Sequence, residues 1–209
     1  MTPTRHLPII ALMAYKGTGK STFAKRIVEE VDTGHHFHRM AIADPLKDGL
    51  KALAGRPKWD LSDPEVKAGR LYPSENPEAT VRKALEGIGA TIRALDPDYW
   101  VRRHHERLEA LDGATRFDHQ AAVIIDDLNF ENEYLYLQQR GALILYLWRE
   151  EVWSKRPWAV GPNGAVSLLS DREVRRMAAE GVPDSVWLDS HLHVDKSLDA
   201  IRQYLRGFQ

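Results

Sequence analysis

Residues 8–22 of the chain read PIIALMAYKGTGKST, and the order of residue types in this stretch decides the fold. Its apolar beginning predicts a buried strand. A loop with Gly17 and Gly19 follows, and Lys20 then opens a segment with apolar residues at helical spacing. A strand, a glycine-bearing loop and a helix in this order are typical of the phosphate-binding loop GxxxxGK[ST], in which Ala14 takes the first glycine position.

Phosphate binding explains why these residue types occur in this order. Glycines let backbone N–H groups surround a phosphate, and the helix N-terminus adds the positive end of its dipole. We expect Lys20 to reach the β- and γ-phosphates of ATP and Ser21 to ligate Mg²⁺. The alternative interpretation is a glycine-rich turn with a chance Lys-Ser pair. The predicted nucleotide-binding residues are Lys16, Gly17, Thr18, Gly19, Lys20, Ser21 and Thr22.

Length and composition limit the class of protein. A chain of 209 residues is long enough for one α/β domain, and we expect a single domain over 1–209. Lys and Arg total 29 against 30 for Asp and Glu, so there is no overall basic field and nucleic acid is not an expected partner. Without cysteine there is no disulfide framework and no thiolate metal site. The N-terminal apolar run is too short to span a membrane, which predicts a soluble cytoplasmic protein. A homodimer is left open.

Strands and helices alternate along the rest of the chain, which predicts a parallel sheet with right-handed crossovers. Apolar spacing at 81, 85, 88, 92 and 95 predicts a helix over 78–95. The further strands are expected at 40–43, 121–125, 142–148 and 186–194.

Two of the predicted strands are followed by aspartates. Asp44 follows the second strand and, with Pro45 behind it, is expected to cap a helix. Because ligands of open α/β sheets bind at the carboxyl ends of strands, Asp44 is also a candidate ligand-binding residue. Asp126 and Asp127 end the third strand, where a carboxylate holds Mg²⁺ in phosphate-loop enzymes. The pattern does not decide between these two aspartates.

Cationic and aromatic residues supply further candidates. Arg82 and Arg93 are eleven residues apart on one predicted helix, about three turns, so both project from the same side and can face one anion. The alternative is that both are solvated surface charges. Trp100 is interpreted either as a stacking platform for a base or as a core residue of the next helix.

The segment 149–164 combines cations, tryptophans and the turn Gly-Pro-Asn-Gly. Arg149, Lys155 and Arg156 lie in it, and such a loop is suited to close over a bound nucleotide and exclude water. A plain surface loop is the alternative.

Four sequence blocks follow one another along the chain. They are GTGKST at 17–22, ADPLK at 43–47, VRKALEGIG at 81–89 running on to Arg93 and DPDYWV at 96–101, and VIIDDLNFENE at 123–133. With these blocks, the chain resembles the bacteriophage-type deoxynucleoside monophosphate kinases over most of its length. The chain departs from that family at Glu86, where the family tends to have Gln, and at Asn129, where the family's Asp-x-Arg-Phe pattern has Arg. The loss of that arginine removes a potential phosphate or base contact.

The resemblance implies a P-loop NTPase-type parallel sheet with flanking helices, a monophosphate-binding helical insertion at about 45–118 and a mobile lid at 149–180. It implies transfer of the γ-phosphoryl group of ATP, with Mg²⁺, to a deoxynucleoside monophosphate in the cytoplasm, that of the host if the chain is phage-encoded. Two alternatives are a kinase acting on a modified base or hydroxyl in DNA, and a P-loop ATPase or switch. The predicted catalytic residues are Lys20, Asp44, Arg149 and Arg156, the substrate-binding residues are Asp44, Lys47, Arg82, Arg93, Trp100, Asp127 and Asn129, and the metal ligands are Ser21 and Asp127.

Overall fold

A computed structural model describes five strands and seven helices of the chain, together with parts of their connections. The fold and the site are seen in the residues that it describes. These are 7–14, 18–72, 79–115, 118, 120–148, 185–187 and 191–208.

The described strands form one parallel sheet of five strands in the order β2-β3-β1-β4-β5. Parallel neighbours require crossover connections, and described helices lie in the connections from β1 to β2, from β2 to β3 and from β3 to β4. The predicted α/β architecture with a parallel sheet is therefore confirmed. The strands are β1 (Ile9–Met13), β2 (His36–Met40), β3 (Ala121–Leu128), β4 (Leu143–Trp148) and β5 (Ser185–Trp187).

The described residues divide into two compact units, one formed by Met1–Ala41 with Glu109–Gln209 and the other by Ile42–Leu108. Within the described part of the chain, no helix has both the length and the apolar composition that crossing a bilayer requires. The helices are α1 (Lys20–Glu30), α2 (Asp44–Leu53), α3 (Pro64–Ala68), α4 (Val81–Leu95), α5 (Tyr99–Thr115), α6 (Glu131–Gln139) and α7 (His191–Arg206).

The core of the first unit lies between the sheet and the helices α1 and α7. β1 is buried along its whole length because it has a neighbouring strand on each side. The Tyr204 hydroxyl of α7 accepts a hydrogen bond from the Ile9 N–H (3.2 Å) and donates one to the Gly141 carbonyl (3.0 Å). The residues of this core include Ile10, Leu12, Phe23, Ala24, Ile27, Ile124, Leu145, Leu198, Ile201 and Leu205.

The second unit has a smaller core, formed by Leu50, Leu61 and Val81 with partly buried neighbours. Its longest helix wholly inside the unit, α4, begins after Thr80, whose hydroxyl accepts the Lys83 N–H at 3.2 Å. This cap satisfies one of the N–H groups that a helix start leaves without a partner.

The bounds of several elements differ from the sequence prediction. β3 runs on to Leu128 rather than ending at 125, and β4 begins at Leu143 rather than at 142. β2 covers 36–40 rather than 40–43, because it is an edge strand, where the alternating sequence HFHRM can leave polar side chains exposed. The helix predicted over 78–95 is described from Val81. The strand predicted over 186–194 is described only at Ser185–Trp187, and His191 begins α7, whose apolar residues Leu198, Ile201 and Leu205 recur at helical spacing.

Candidate functional site

The connection between β1 and α1 ends in a helix N-terminus that has no capping side chain. Gly19 takes the left-handed conformation (φ 103°, ψ 25°) and stands directly before Lys20, the first residue of α1. Glycine is favoured there because a Cβ is strained at this φ. The Thr18 hydroxyl beside it is buried and has no hydrogen-bond partner among the described residues. An anion at the N-terminus of α1 would therefore be stabilised by the first-turn N–H groups and the helix dipole.

A β-bulge places two aspartates beside this helix start. Ala11 of β1 pairs with Ile125 of β3, but Met13 pairs with Leu128, so Leu12 alone opposes both Asp126 and Asp127. A bulge disrupts the strict alternation of side chains and redirects those next to it. Asp126 is 7% exposed, whereas Asp127 is partly exposed. The two adjacent carboxylates therefore lie in different environments.

Two side chains from two other elements meet the Asp126 carboxylate of β3. The Ser21 hydroxyl of α1 donates to Asp126 Oδ2 at 3.1 Å, and Arg39 of β2 donates from Nη2 to the same oxygen. Arg39 Nη2 also lies 3.3 Å from Ser21 Oγ. Sequence reasoning did not find Arg39, because a lone arginine in a polar edge strand has no pattern that sets it apart from a surface charge.

The oxygen groups of Ser21 and Asp126 have the chemistry that Mg²⁺ prefers. Mg²⁺ is held in proteins by one or two carboxylates together with waters and substrate phosphates, rather than by a complete protein cage. No group of three or more His, Asp or Glu side chains able to hold a metal occurs among the described residues. One carboxylate and one hydroxyl therefore fit a cation that is shared with a phosphate ligand.

The Lys20 side chain has two hydrogen-bond acceptors, one at the end of β1 and one after β3. Its ammonium donates to the Ala14 carbonyl at 2.6 Å and to Asn129 Oδ1 at 3.0 Å. Burial lowers the pKa of Lys20, and the nearby charges of Asp127, Asp126 and Glu133 act in the opposite direction. The lysine is thus partly desolvated and oriented within the site.

Asn129 is itself fixed in place by neighbouring groups. Its side-chain amide donates to the Asp127 carbonyl at 2.5 Å, and its backbone N–H donates to Glu133 Oε2 at 3.0 Å. The same Glu133 oxygen accepts the Phe130 N–H at 3.1 Å, at the start of α6. Sequence reasoning missed Glu133, although an acidic residue in the first turn of a helix is the signal of such a cap.

The structure therefore brings several of the predicted residues together in the first unit. The group that surrounds the start of α1 consists of Thr18, Gly19, Lys20, Ser21, Asp127 and Asn129, joined by Asp126, Arg39 and Glu133. Thr22 lies in the first turn of α1 and is exposed. The contact with Ser21 is made by Asp126, whereas Asp127 was the predicted metal ligand.

The remaining predicted residues with described positions lie in the second unit. Asp44 is the first residue of α2 and not its cap, which is Ala43, and the Asp44 carboxylate pairs with the Lys47 ammonium at 3.0 Å. The predicted capping role of Asp44 is wrong because Ala43 is the N-cap residue of α2, and the Asp44 carboxylate pairs with Lys47 one turn along the helix.

Arg82 and Arg93 lie on α4 and are both partly buried. Among the described residues, the Arg82 guanidinium has neither a hydrogen-bond partner nor an ion-pair partner. A partly buried guanidinium without a counter-charge in this part of the chain is suited to receive an anionic ligand.

Trp100 is 6% exposed, and its indole N–H donates to the Gly89 carbonyl at 3.2 Å. The Tyr99 ring packs edge-on to it, with ring centroids 4.9 Å apart. These contacts favour the core interpretation of Trp100 over a base-stacking platform.

Several predictions fall on residues outside the described ranges. The loop residues Lys16 and Gly17 and the lid region 149–180, with Arg149, Lys155 and Arg156, lie there. Their predicted roles stay predictions.

Comparisons with known proteins yield limited similarity. No protein-family model matches the chain, and no curated protein is similar to it in sequence. Among solved structures, the unliganded crystal structure of a sugar kinase from Janibacter sp. matches with a TM-score of 0.40 and 15% identity, over 96% of this chain and 95% of that chain. Similarity at this level defines neither a family nor an activity for the chain.

Proposed function

We propose that this chain transfers the γ-phosphoryl group of ATP to a deoxynucleoside 5′-monophosphate. The observation that carries the proposal is the start of α1, which follows the left-handed Gly19 without a capping side chain and has Lys20 and Ser21 as its first two residues. The first N–H groups of a helix have no partners within the helix, and together with the positive dipole end and a lysine they suit the β- and γ-phosphates of a nucleotide.

On the donor side, Lys20 exchanges the Ala14 carbonyl and Asn129 for phosphate oxygens, which its ammonium binds as charged acceptors. Ser21 and Asp126 would hold Mg²⁺, which would neutralise charge on the β- and γ-phosphates. Of the two candidate aspartates, we assign this role to Asp126 rather than to Asp127, because Asp126 is in contact with Ser21.

On the acceptor side, the sequence blocks around Asp44 and Arg93 and the arginines of α4 support binding of a monophosphate. Arg82 and Arg93 bind the phosphate of the monophosphate, and Asp44 with Lys47 orients the nucleoside. An oxygen of that phosphate attacks the γ-phosphorus, the bond to the β-phosphate oxygen breaks, and ADP leaves together with the new diphosphate. The protein contributes positioning and charge neutralisation. The lid cations Arg149 and Arg156 neutralise further charge in the transition state of the transfer.

A coupled ADP-release assay over the deoxy- and ribonucleoside monophosphates, including modified bases, tests this function. We expect ADP release only when a monophosphate is added, and faster release with deoxynucleotides. The control is Lys20→Ala, shown by circular dichroism to be folded, which should release none. ADP release without any acceptor would instead indicate an ATPase or switch, and release with DNA alone would indicate a polynucleotide kinase.

A further inference from the structure

Arg39 contacts both oxygen groups of the candidate cation site. Its Nη2 donates to Asp126 Oδ2 and lies 3.3 Å from Ser21 Oγ. Ser21 also donates to this Oδ2, at 3.1 Å. A guanidinium therefore lies against the same hydroxyl and carboxylate that would ligate a divalent cation.

The two partners of this ion pair differ in burial. The Asp126 side chain is 6% exposed, whereas the Arg39 side chain is 46% exposed. A buried carboxylate needs a positive partner because it has lost its hydration. A half-exposed guanidinium can leave that partner and be hydrated by solvent. Lys20 lies near enough to Asp126 for their charges to act on each other, but its hydrogen bonds go to Ala14 and Asn129. The direct ion-pair partner of Asp126 among the described residues is Arg39.

We propose that Arg39 is a positioning residue that takes the place of the divalent cation at Ser21 and Asp126 until a nucleotide-bound cation replaces it. This inference rests on the proposed function, in which Ser21 and Asp126 hold Mg²⁺. A cation that arrives alone has to displace the guanidinium. A cation that arrives on a nucleotide brings phosphate oxygens as further ligands, so cation binding becomes coupled to nucleotide binding.

The affinity for Mn²⁺ in the absence of nucleotide tests the proposal. Electron paramagnetic resonance measures it, because the signal of free Mn²⁺ is lost on binding. We expect Arg39→Gln to bind Mn²⁺ about fivefold more tightly than the natural protein, the factor expected when one half-exposed ion pair no longer competes. Adding Asp126→Asn to Arg39→Gln should remove this gain. A gain that survives in the double variant would place the Mn²⁺ elsewhere and overturn the proposal.

The second variant, Arg39→Lys, keeps the positive charge but loses the planar guanidinium group. We expect its Mn²⁺ affinity to lie between those of the natural protein and Arg39→Gln. The matched control is Arg26→Gln, which removes an equally charged side chain paired with Glu30 on α1 (2.6 Å). Its Mn²⁺ affinity should equal that of the natural protein. An equal gain in Arg26→Gln, or unchanged or weaker Mn²⁺ binding in Arg39→Gln, would overturn the proposal.

Mn²⁺ should also raise the melting temperature of Arg39→Gln more than that of the natural protein, because the cation restores the lost partner of Asp126. Neither measurement contains nucleotide. A failed ADP-release assay would therefore overturn the proposed kinase activity while leaving the Mn²⁺ result to be judged by itself.

Discussion

Asn129 is one of the two hydrogen-bond acceptors of Lys20, with its Oδ1 3.0 Å from the Lys20 ammonium. Asn129→Asp keeps the shape but adds a negative charge beside the phosphate position. We expect the KM for ATP to rise roughly tenfold, which corresponds to about 1.4 kcal/mol, with the KM for the monophosphate unchanged. Steady-state kinetics with each substrate varied in turn measures both constants.

The control for this change is Gln138→Glu, which adds the same charge on an exposed position of α6. It should leave both KM values as they are. If the two variants raise the KM for ATP equally, the effect belongs to the overall charge of the protein and not to the contact with Lys20.

Arg82 and Arg93 lie on α4 and are assigned to the acceptor phosphate. Arg82→Ala and Arg93→Ala should each raise the KM for the monophosphate roughly 10- to 100-fold, because a hydrogen bond to a charged group contributes about 1.5–3 kcal/mol. The KM for ATP should change little. Lys83→Ala, on the same helix and exposed, is the matched control. Equal effects on both substrates would remove these arginines from the acceptor side.

At the scale of single elements, two glycines of α4 have opposite surroundings. A Cβ added at Gly87 meets nothing within 4 Å, whereas one added at Gly89 lies 3.1 Å from Leu46 Cδ2. We expect Gly87→Ala to raise the free energy of unfolding by roughly 0.5–1 kcal/mol, because alanine restricts the unfolded chain and favours a helix. Gly89→Ala should raise the free energy of unfolding by less than this amount or lower it, because Leu46 has to move.

Urea denaturation of both variants and of the natural protein compares these free energies directly. The helix propensity gained is the same in each case, so the difference between the two variants reports the contact with Leu46. An equal increase in the free energy of unfolding at both positions would mean that Leu46 of α2 does not pack closely against Gly89 of α4.

The start of α1 was predictable from the sequence because strand, glycines, Lys20 and Ser21 are adjacent in the chain. The bulge at Asp126 and Asp127 was not, because it is a property of the register between β1 and β3, which are more than a hundred residues apart. The sequence accordingly left both aspartates as candidates. The same holds for the pair between Arg39 and Asp126, which depends on β2 lying next to β3.

At the scale of the whole molecule, the alternation of strands and helices predicted a parallel sheet but not its strand order. The order β2-β3-β1-β4-β5 places β1 beside β3, so the carboxyl ends of both strands lie at the same edge of the sheet. This adjacency brings Lys20 and Ser21 next to Asp126 and Asn129. Long-range pairing of this kind depends on packing of the folded chain and leaves no local signal in the sequence.

Phosphorus NMR of a mixture of ATP, Mg²⁺ and a deoxynucleoside monophosphate tests phosphoryl transfer at the α1 start most directly, because it identifies the product. The γ-phosphate resonance of ATP should be replaced by the β-phosphate resonances of two nucleoside diphosphates, without inorganic phosphate, and a folded Lys20→Ala variant should leave the spectrum unchanged. Accumulation of inorganic phosphate in place of the second diphosphate, or undiminished transfer by Lys20→Ala, would contradict the account.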